Sequence, residues 1–217
     1  MIKDNLNAVR TSLKRGVQLV AISKYHPVSA VEEAYAEGQR VFGESREQEL
    51  RIKYDTLPKD IEWHFIGHLQ TNKVKYIAPY ISMIEAVDSM KLMKEIERQA
   101  EKNQRTIDIL LELHLAQEET KSGMTPEECR QLLAEGLWRE MKHVRICGIM
   151  MMASNTDDEA QIRSEFLAAR DFFDEVKEQY FKDDDSFSVK SYGMSGDYLI
   201  AQECGSNHVR VGSRIFA

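Results

Sequence analysis

Eight short apolar stretches, each followed by a stretch of helical periodicity, constrain this chain more than any other feature. The first is Val17-Gln-Leu-Val-Ala-Ile-Ser-Lys24, an almost unbroken apolar run that reads as a strand covered on both faces. Further strands are expected over residues 40–44, 62–68, 83–88, 107–115, 144–151, 188–195 (with its loop) and 208–212. Helices are expected over 28–37, 46–54, a short piece ending near Pro79, 89–103, a segment opened by Thr125-Pro-Glu-Glu, 157–181 and 197–203. Residues 1–14 carry Ile2, Leu6, Val9 and Leu13 on one stripe and read as an extra N-terminal helix. Strict alternation implies parallel strands joined by crossovers, and eight such units close into a (β/α)8 TIM barrel of the α/β class. The competing architecture is an open doubly wound sheet, whose dinucleotide-binding version is disfavoured because no GxGxxG turn follows the first strand. Nothing in the chain resembles a linker, so residues 1–217 read as a single domain.

Charge and cysteine usage narrow the class of function. The 36 acidic residues outnumber the 29 basic ones, a net charge of -7, which argues against a general nucleic-acid binder because that affinity rests on neutralising phosphates. The three cysteines are odd in number, widely spaced and free of any CxxC pair, so neither a disulfide framework nor a zinc site is suggested. With no signal-length or membrane-length apolar run, a cytoplasmic protein without membrane contact is expected.

In a barrel the chemistry gathers at the carboxyl ends of the strands. Alternation puts Lys24 on the face of Ile22 and Val20, with its ammonium aimed where the core lies; the alternative is a lysine that bends out into water. Gly193-Met-Ser195-Gly-Asp197 runs into a short helix, so the hydroxyl of Ser195 and nearby N–H groups suit an anion, unless Ser195 is a plain N-cap. Arg210 and Gly212 share one face of the last strand. A buried guanidinium needs a ligand or an ion-pair partner, and Gly212 lets a ligand approach the backbone. Ser206 and Asn207 add polar donors before that strand. A strand-end lysine, an inward arginine and a phosphate cradle together suggest pyridoxal phosphate, with the lysine forming an imine to the aldehyde and the arginine facing the pyridine nitrogen. His68 is a candidate for lining the site. His64 reads as a supporting core residue, Met150-Met-Met152 as barrel packing, and Cys147 as a buried, inert thiol.

The blocks Val20-Ala-Ile-Ser-Lys24, Phe42-Gly-Glu44, Trp63-His-Phe-Ile-Gly-His68-Leu-Gln-Thr-Asn-Lys73, Lys121-Ser-Gly123, Gly193-Met-Ser-Gly-Asp197 and Val209-Arg-Val-Gly212 occur in this order. From about residue 15 to 216 the chain resembles the pyridoxal phosphate homeostasis family. That resemblance implies a barrel related to the N-terminal domain of alanine racemase. It also implies a Schiff base on Lys24, phosphate contacts from Ser195, Ser206 and Gly212, and Arg210 beside the ring nitrogen. Three departures stand out. Ser45-Arg46 replaces the family's Asn-Tyr, Gly205-Ser-Asn207 replaces Gly-Ser-Thr, and the sequence stops at Ile215-Phe-Ala217 without the usual glycine and tail.

The expected function is a non-catalytic carrier or buffer of pyridoxal 5'-phosphate in vitamin B6 homeostasis, monomeric, with cofactor-dependent apo-enzymes as recipients. An amino-acid racemase is the alternative. It needs a base on each face of the adduct, and in two-domain racemases the second base comes from a separate β-domain that this sequence, ending after its eighth strand, is expected to lack. A guanidinium at the pyridine nitrogen also stays protonated, which weakens the ring as an electron sink. A barrel enzyme acting on a phosphorylated sugar through Lys24 is a third class.

Overall fold

The computed structural model describes residues 1–117 and 122–217; Lys121 of the Lys121-Ser-Gly123 block lies outside them. The strands β1 (Gln18–Ile22), β2 (Val41–Glu44), β3 (Glu62–Phe65), β4 (Met83–Val87), β5 (Ile107–Leu113), β6 (Val144–Met151), β7 (Val189–Ser191) and β8 (His208–Val211) form one closed parallel barrel, with β8 pairing back to β1. The crossover helices are α2 (Val28–Ala36), α3 (Glu47–Thr56), α4 (Val74–Ile77), α5 (Met90–Lys102), α6 (Pro126–Glu135), α7 (Glu159–Tyr180) and α8 (Tyr198–Glu203). The helix α1 (Ile2–Ser12) precedes the barrel and the short α9 (Ser213–Phe216) follows β8. The fold is thus the (β/α)8 TIM barrel with an extra N-terminal helix that the alternation implies, not an open sheet.

Three of the crossover helices start where polar side chains satisfy their first N–H groups. Thr125 forms a reciprocal capping box with Glu128, Ser89 accepts from Leu92, and Asp158 accepts from Ala160 and Gln161. Leu6 and Val9 of α1 are buried. That helix is tied to the late elements, Ser12 Oγ lying 2.9 Å from the Tyr198 hydroxyl and Asn5 Nδ2 donating to the Ile215 carbonyl.

Alternation divides each strand between two environments. Leu19, Ala21, Phe42, Trp63, Phe65, Ile109 and Leu111 join the large apolar layer under the helices. Inside the barrel, Val20, Ile22 and Val41 with Ile66 form one small cluster, and Met83, Ala86, Leu110, Cys147, Met150 and Val189 with Met152 form another. Met150 and Met152 are therefore packing residues. The cysteines Cys129, Cys147 and Cys204 are free and buried, and burial pushes the thiols of Cys129 and Cys147 up to about 12. Between β5 and β6 the ladder passes from Ile109–Ile146 to Leu110–Gly148, a bulge that skips Cys147. No helix among the described residues is long and apolar enough to cross a membrane.

Of the boundaries that differ from expectation, three bear on the mouth of the barrel. The first strand ends at Ile22 rather than Lys24, because Ser23 turns inward to hydrogen-bond the Glu44 carboxylate and its carbonyl closes a turn with His26 N–H. The third ends at Phe65, which leaves His68 on a loop. The seventh has three residues, since the chain leaves the sheet at Tyr192 for the glycine-flanked turn.

Candidate functional site

Lys24 stands at the mouth of the barrel, half-buried, two residues beyond β1. Among the described residues no carboxylate lies within ion-pairing distance of its ammonium, which instead sits 5.7 Å from the centroid of the Tyr25 ring. The guanidinium of Arg46 stacks on the same ring at 4.9 Å, so Arg46, one of the two departures after Phe42-Gly-Glu44, occupies the rim beside Lys24. The neighbouring strand ends approach closely here. A Cβ on Gly43 would meet Ile22 Cδ1 at 2.4 Å, and one on Gly212 would meet the Ile22 carbonyl at 3.0 Å. Gly212 therefore allows close backbone approach to the lysine strand, and Gly43 leaves room for the Ile22 side chain on the other side of it.

Below the mouth runs a buried polar line. Arg210 donates through Nη1 to the carbonyl and the hydroxyl of Ser191, both at 2.7 Å, and through Nη2 to the Met151 carbonyl at 2.8 Å. Its Nε–H donates to no acceptor among the described residues. Ser191 Oγ in turn donates to Glu85 Oε2 at 2.5 Å, and His64 Nδ1 holds Glu85 Oε1 at 2.7 Å. Burial on its own would raise the Glu85 carboxyl, but the His64 hydrogen bond and charge, the Arg210 charge and the Ser191 hydroxyl outweigh it and bring the group down to about 2. Burial draws Arg210 below the ordinary guanidinium value while Glu85, 3.8 Å away, opposes that shift. Arg210 therefore has the ion-pair partner its burial requires and also keeps a donor to spare.

The turn after β7 and the start of α9 face each other across the end of β8. Gly212 N–H donates to Ser195 Oγ at 3.1 Å, and Arg214 Nε donates to the Ser195 carbonyl at 2.6 Å. Met194 N–H is taken by Asp197 Oδ1, so Ser195 is a turn residue and Asp197 the helix-flanking one. The N–H groups of Ser195, Gly196, Ser213 and Arg214 donate to no acceptor among the described residues, a donor set suited to an oxyanion. Ser213 was missed in the sequence; its signal is its place, the first residue after the strand-end Gly212.

Ser206 and Asn207 are not brought to this mouth. Both precede β8 and sit at the amino-terminal rim, where Ser206 Oγ is within 3.0 Å of the carbonyls of Lys190, Tyr192 and His208. Asn207 accepts from Lys190 N–H and donates to the Ser188 carbonyl. These side chains lock β7 to β8, which corrects their expected role as phosphate donors: a residue before a parallel strand lies at the end opposite to residues after it.

Ser45 and His68 come together elsewhere on the same face. They line an open cleft of about 350 Å³ with Arg46, Phe65, Leu69 and Lys73, and a Cβ on Gly67 would strike Ser45 Cβ at 2.7 Å. His68 is exposed, 3.8 Å from Asp88. Lys73 is paired with Glu47 at 2.8 Å. Glu112 on β5 was also missed: it is buried, accepts from Ser122 Oγ at 2.6 Å, and has its carboxyl raised by burial.

At the opposite end of the barrel a cavity of about 140 Å³ is lined by Gln18, Val41, Glu62, His64, Asp108 and His208. Burial lowers the His208 imidazole from its ordinary 6.5 to about 4. The unfolded chain therefore takes up this proton first, and stability falls as pH drops from 6.5 through 4. The loss below that window is about 3 kcal/mol. Urea midpoints measured across the window should show the slope, and His208→Gln should flatten it; an unchanged slope would assign it to other groups.

With the barrel, the strand-end lysine and the buried arginine in place, comparison with known proteins defines the class. The family described as alanine racemase, N-terminal domain, matches residues 1–217, and the chain belongs to that family. Within it the chain is similar to the pyridoxal phosphate homeostasis proteins. It is 34% identical over 215 residues to that of Helicobacter pylori (97% of this chain, 93% of that one) and 36% identical over 206 residues to that of Schizosaccharomyces pombe (93% and 84%). The solved structure of PipY from Synechococcus elongatus PCC7942 with PLP bound superposes with a TM-score of 0.91 at 34% identity, covering 100% of both chains. Alanine racemase of Clostridium difficile 630 shares the fold, with a TM-score of 0.79 at 15% identity over 99% of this chain and 55% of its own.

Proposed function

We propose that this protein binds pyridoxal 5'-phosphate, held as a Schiff base on Lys24, and serves vitamin B6 homeostasis as a carrier or buffer of the cofactor. The observation that carries this reading is the convergence at one barrel mouth of an amine, an arginine Nε–H and a set of N–H donors beside Ser195 and Gly212 that, among the described residues, have respectively no carboxylate partner and no acceptor. The donor set fits the group. Lys24 supplies the amine for the aldehyde, Arg210 the donor for the ring nitrogen, and Ser195, Gly212 and the first turn of α9 the phosphate contacts, with Ser45 and His68 on the rim. When bound, the cofactor supplies a reactive carbonyl conjugated to an aromatic ring.

Carriage is favoured over racemisation because Arg210 stays protonated beside the ring and cannot pass a proton to it, which weakens electron withdrawal. On this reading residues 1–217 act as one unit, a cytoplasmic monomer whose recipients are cofactor-dependent apo-enzymes rather than nucleic acid or membrane.

Purified protein mixed with pyridoxal phosphate should give an imine absorption band that borohydride fixes onto a single peptide containing Lys24, and Lys24→Ala should remove both. A label on another lysine, or full retention of the adduct in the variant, would overturn the assignment.

A further inference from the structure

Lys53, in the last turn of α3, is 2% exposed, an unusual place for a lysine. Its ammonium donates to the Ser23 carbonyl at 2.7 Å, Glu44 Oε1 at 2.6 Å and Glu49 Oε1 at 2.8 Å. All three contacts lead to the same short turn. Glu44 also accepts the Ser23 hydroxyl at 2.6 Å, and Glu49 Oε1 also accepts the Tyr25 N–H at 2.7 Å. The residues on both sides of Lys24 are thus fixed by one buried cluster, while Lys24 takes no part in it. Tyr25 is held at φ +68, a left-handed conformation that non-glycine residues rarely adopt. Such a backbone persists only where its surroundings impose it. A methionine would fill the volume of Lys53 without needing two carboxylates nearby, so packing does not account for the charge. The cluster's output is the direction in which the chain leaves β1, and hence where the Lys24 side chain begins.

We propose that Lys53 is the positioning residue for Lys24: through Glu44 and Glu49 it clamps Ser23 and Tyr25 and so aims the Lys24 amine at the cofactor's aldehyde. This rests on the reading that Lys24 carries the cofactor. The phosphate-side donors lie on the other flank of β1 and share no hydrogen bond with the cluster.

The test compares two ligands on Lys53→Met: pyridoxal phosphate, and 4-deoxypyridoxine 5'-phosphate, which has a methyl group in place of the aldehyde and cannot be linked. Affinity for pyridoxal phosphate should fall about tenfold or more, because displacing a reacting group by an ångström has effects of that order, while affinity for the deoxy analogue stays within about twofold. Glu49→Ala, which removes the acceptor for Tyr25 N–H and one of the three Lys53 acceptors while leaving Ser23 and Glu44 in place, should shift the same ratio in the same direction and decides the matter if Lys53→Met does not fold. Equal weakening of both ligands, or no change for pyridoxal phosphate, would overturn the proposal. Absence of a borohydride label on Lys24 in the unaltered protein would instead overturn the reading beneath it.

Discussion

Replacing Glu85 by alanine should destabilise the barrel by about 3–5 kcal/mol, the range expected when one member of a buried ion pair is removed and the other charge is left behind. Arg210 would remain wholly inside, 4% exposed, with neutral partners only. Ser191 Oγ would lose its acceptor, and His64 Nδ1 would face the space vacated by the carboxylate. Each of those losses adds to the same deficit. Urea denaturation at pH 7 measures it directly as a shift in midpoint at constant slope. Removing both charges in Glu85→Gln/Arg210→Met should cost less than the two single changes summed, which a double-mutant cycle would reveal. A loss below about 1 kcal/mol for Glu85→Ala would mean that water reaches the barrel interior and solvates Arg210. Stability should also fall further in acid, because a carboxyl lowered to about 2 in the folded protein must be protonated against that preference between its ordinary 4.5 and 2.

Gly148→Ala should be damaging for a different reason. Gly148 lies at φ +154, and a Cβ there would stand 1.9 Å from the Val189 carbonyl oxygen. That oxygen belongs to the backbone of β7, paired to β6 at this residue, so no side-chain rotation can relieve the overlap. The remedies are to break the β6–β7 ladder or to flatten the bulge, and the second would move Cys147, Met150 and Met152 out of phase with the interior. A loss of about 3 kcal/mol or more is expected, visible as a lower thermal midpoint and weakened near-ultraviolet dichroism. Near-native stability would show that the bulge can slide by a residue without harm.

The barrel itself was legible because eight buried strands and their crossover helices leave separate, regular signatures. Lys24 was placed at the right end of its strand by the same logic, and Arg210 was recognised as a residue in need of a partner. Its partner was legible in principle. In Met83-Ile-Glu85-Ala-Val87 the acid interrupts an apolar strand, which in a closed barrel points a charge either at helices or at the interior. What the sequence could not convey is which of several carboxylates would do so, since that depends on register between strands far apart in the chain. Tyr25 was opaque because nothing in its residue type announces a left-handed conformation; the carboxylate that accepts its N–H, on Glu49, lies 24 residues further along the chain. Ser206 and Asn207 were misjudged by treating nearness to Arg210 along the chain as nearness in space, although the polarity of a parallel strand separates the residues before it from those after it.

The three buried thiols offer a way to watch the barrel breathe. Cys129 lies on α6, Cys147 inside the barrel on β6, and Cys204 just past the end of α8, toward the rim opposite the turn that carries Ser195. A thiol-specific reagent can reach each only when its own surroundings part, so the three labelling rates are three separate clocks for local opening. Ligand whose hold stays at the turn after β7 leaves the Cys204 clock at the far rim unchanged, whereas the Cys147 clock changes when the whole cylinder is held shut. The same native residues, without any introduced probe, can therefore resolve how far the grip of a small molecule spreads from the mouth into the body of the fold.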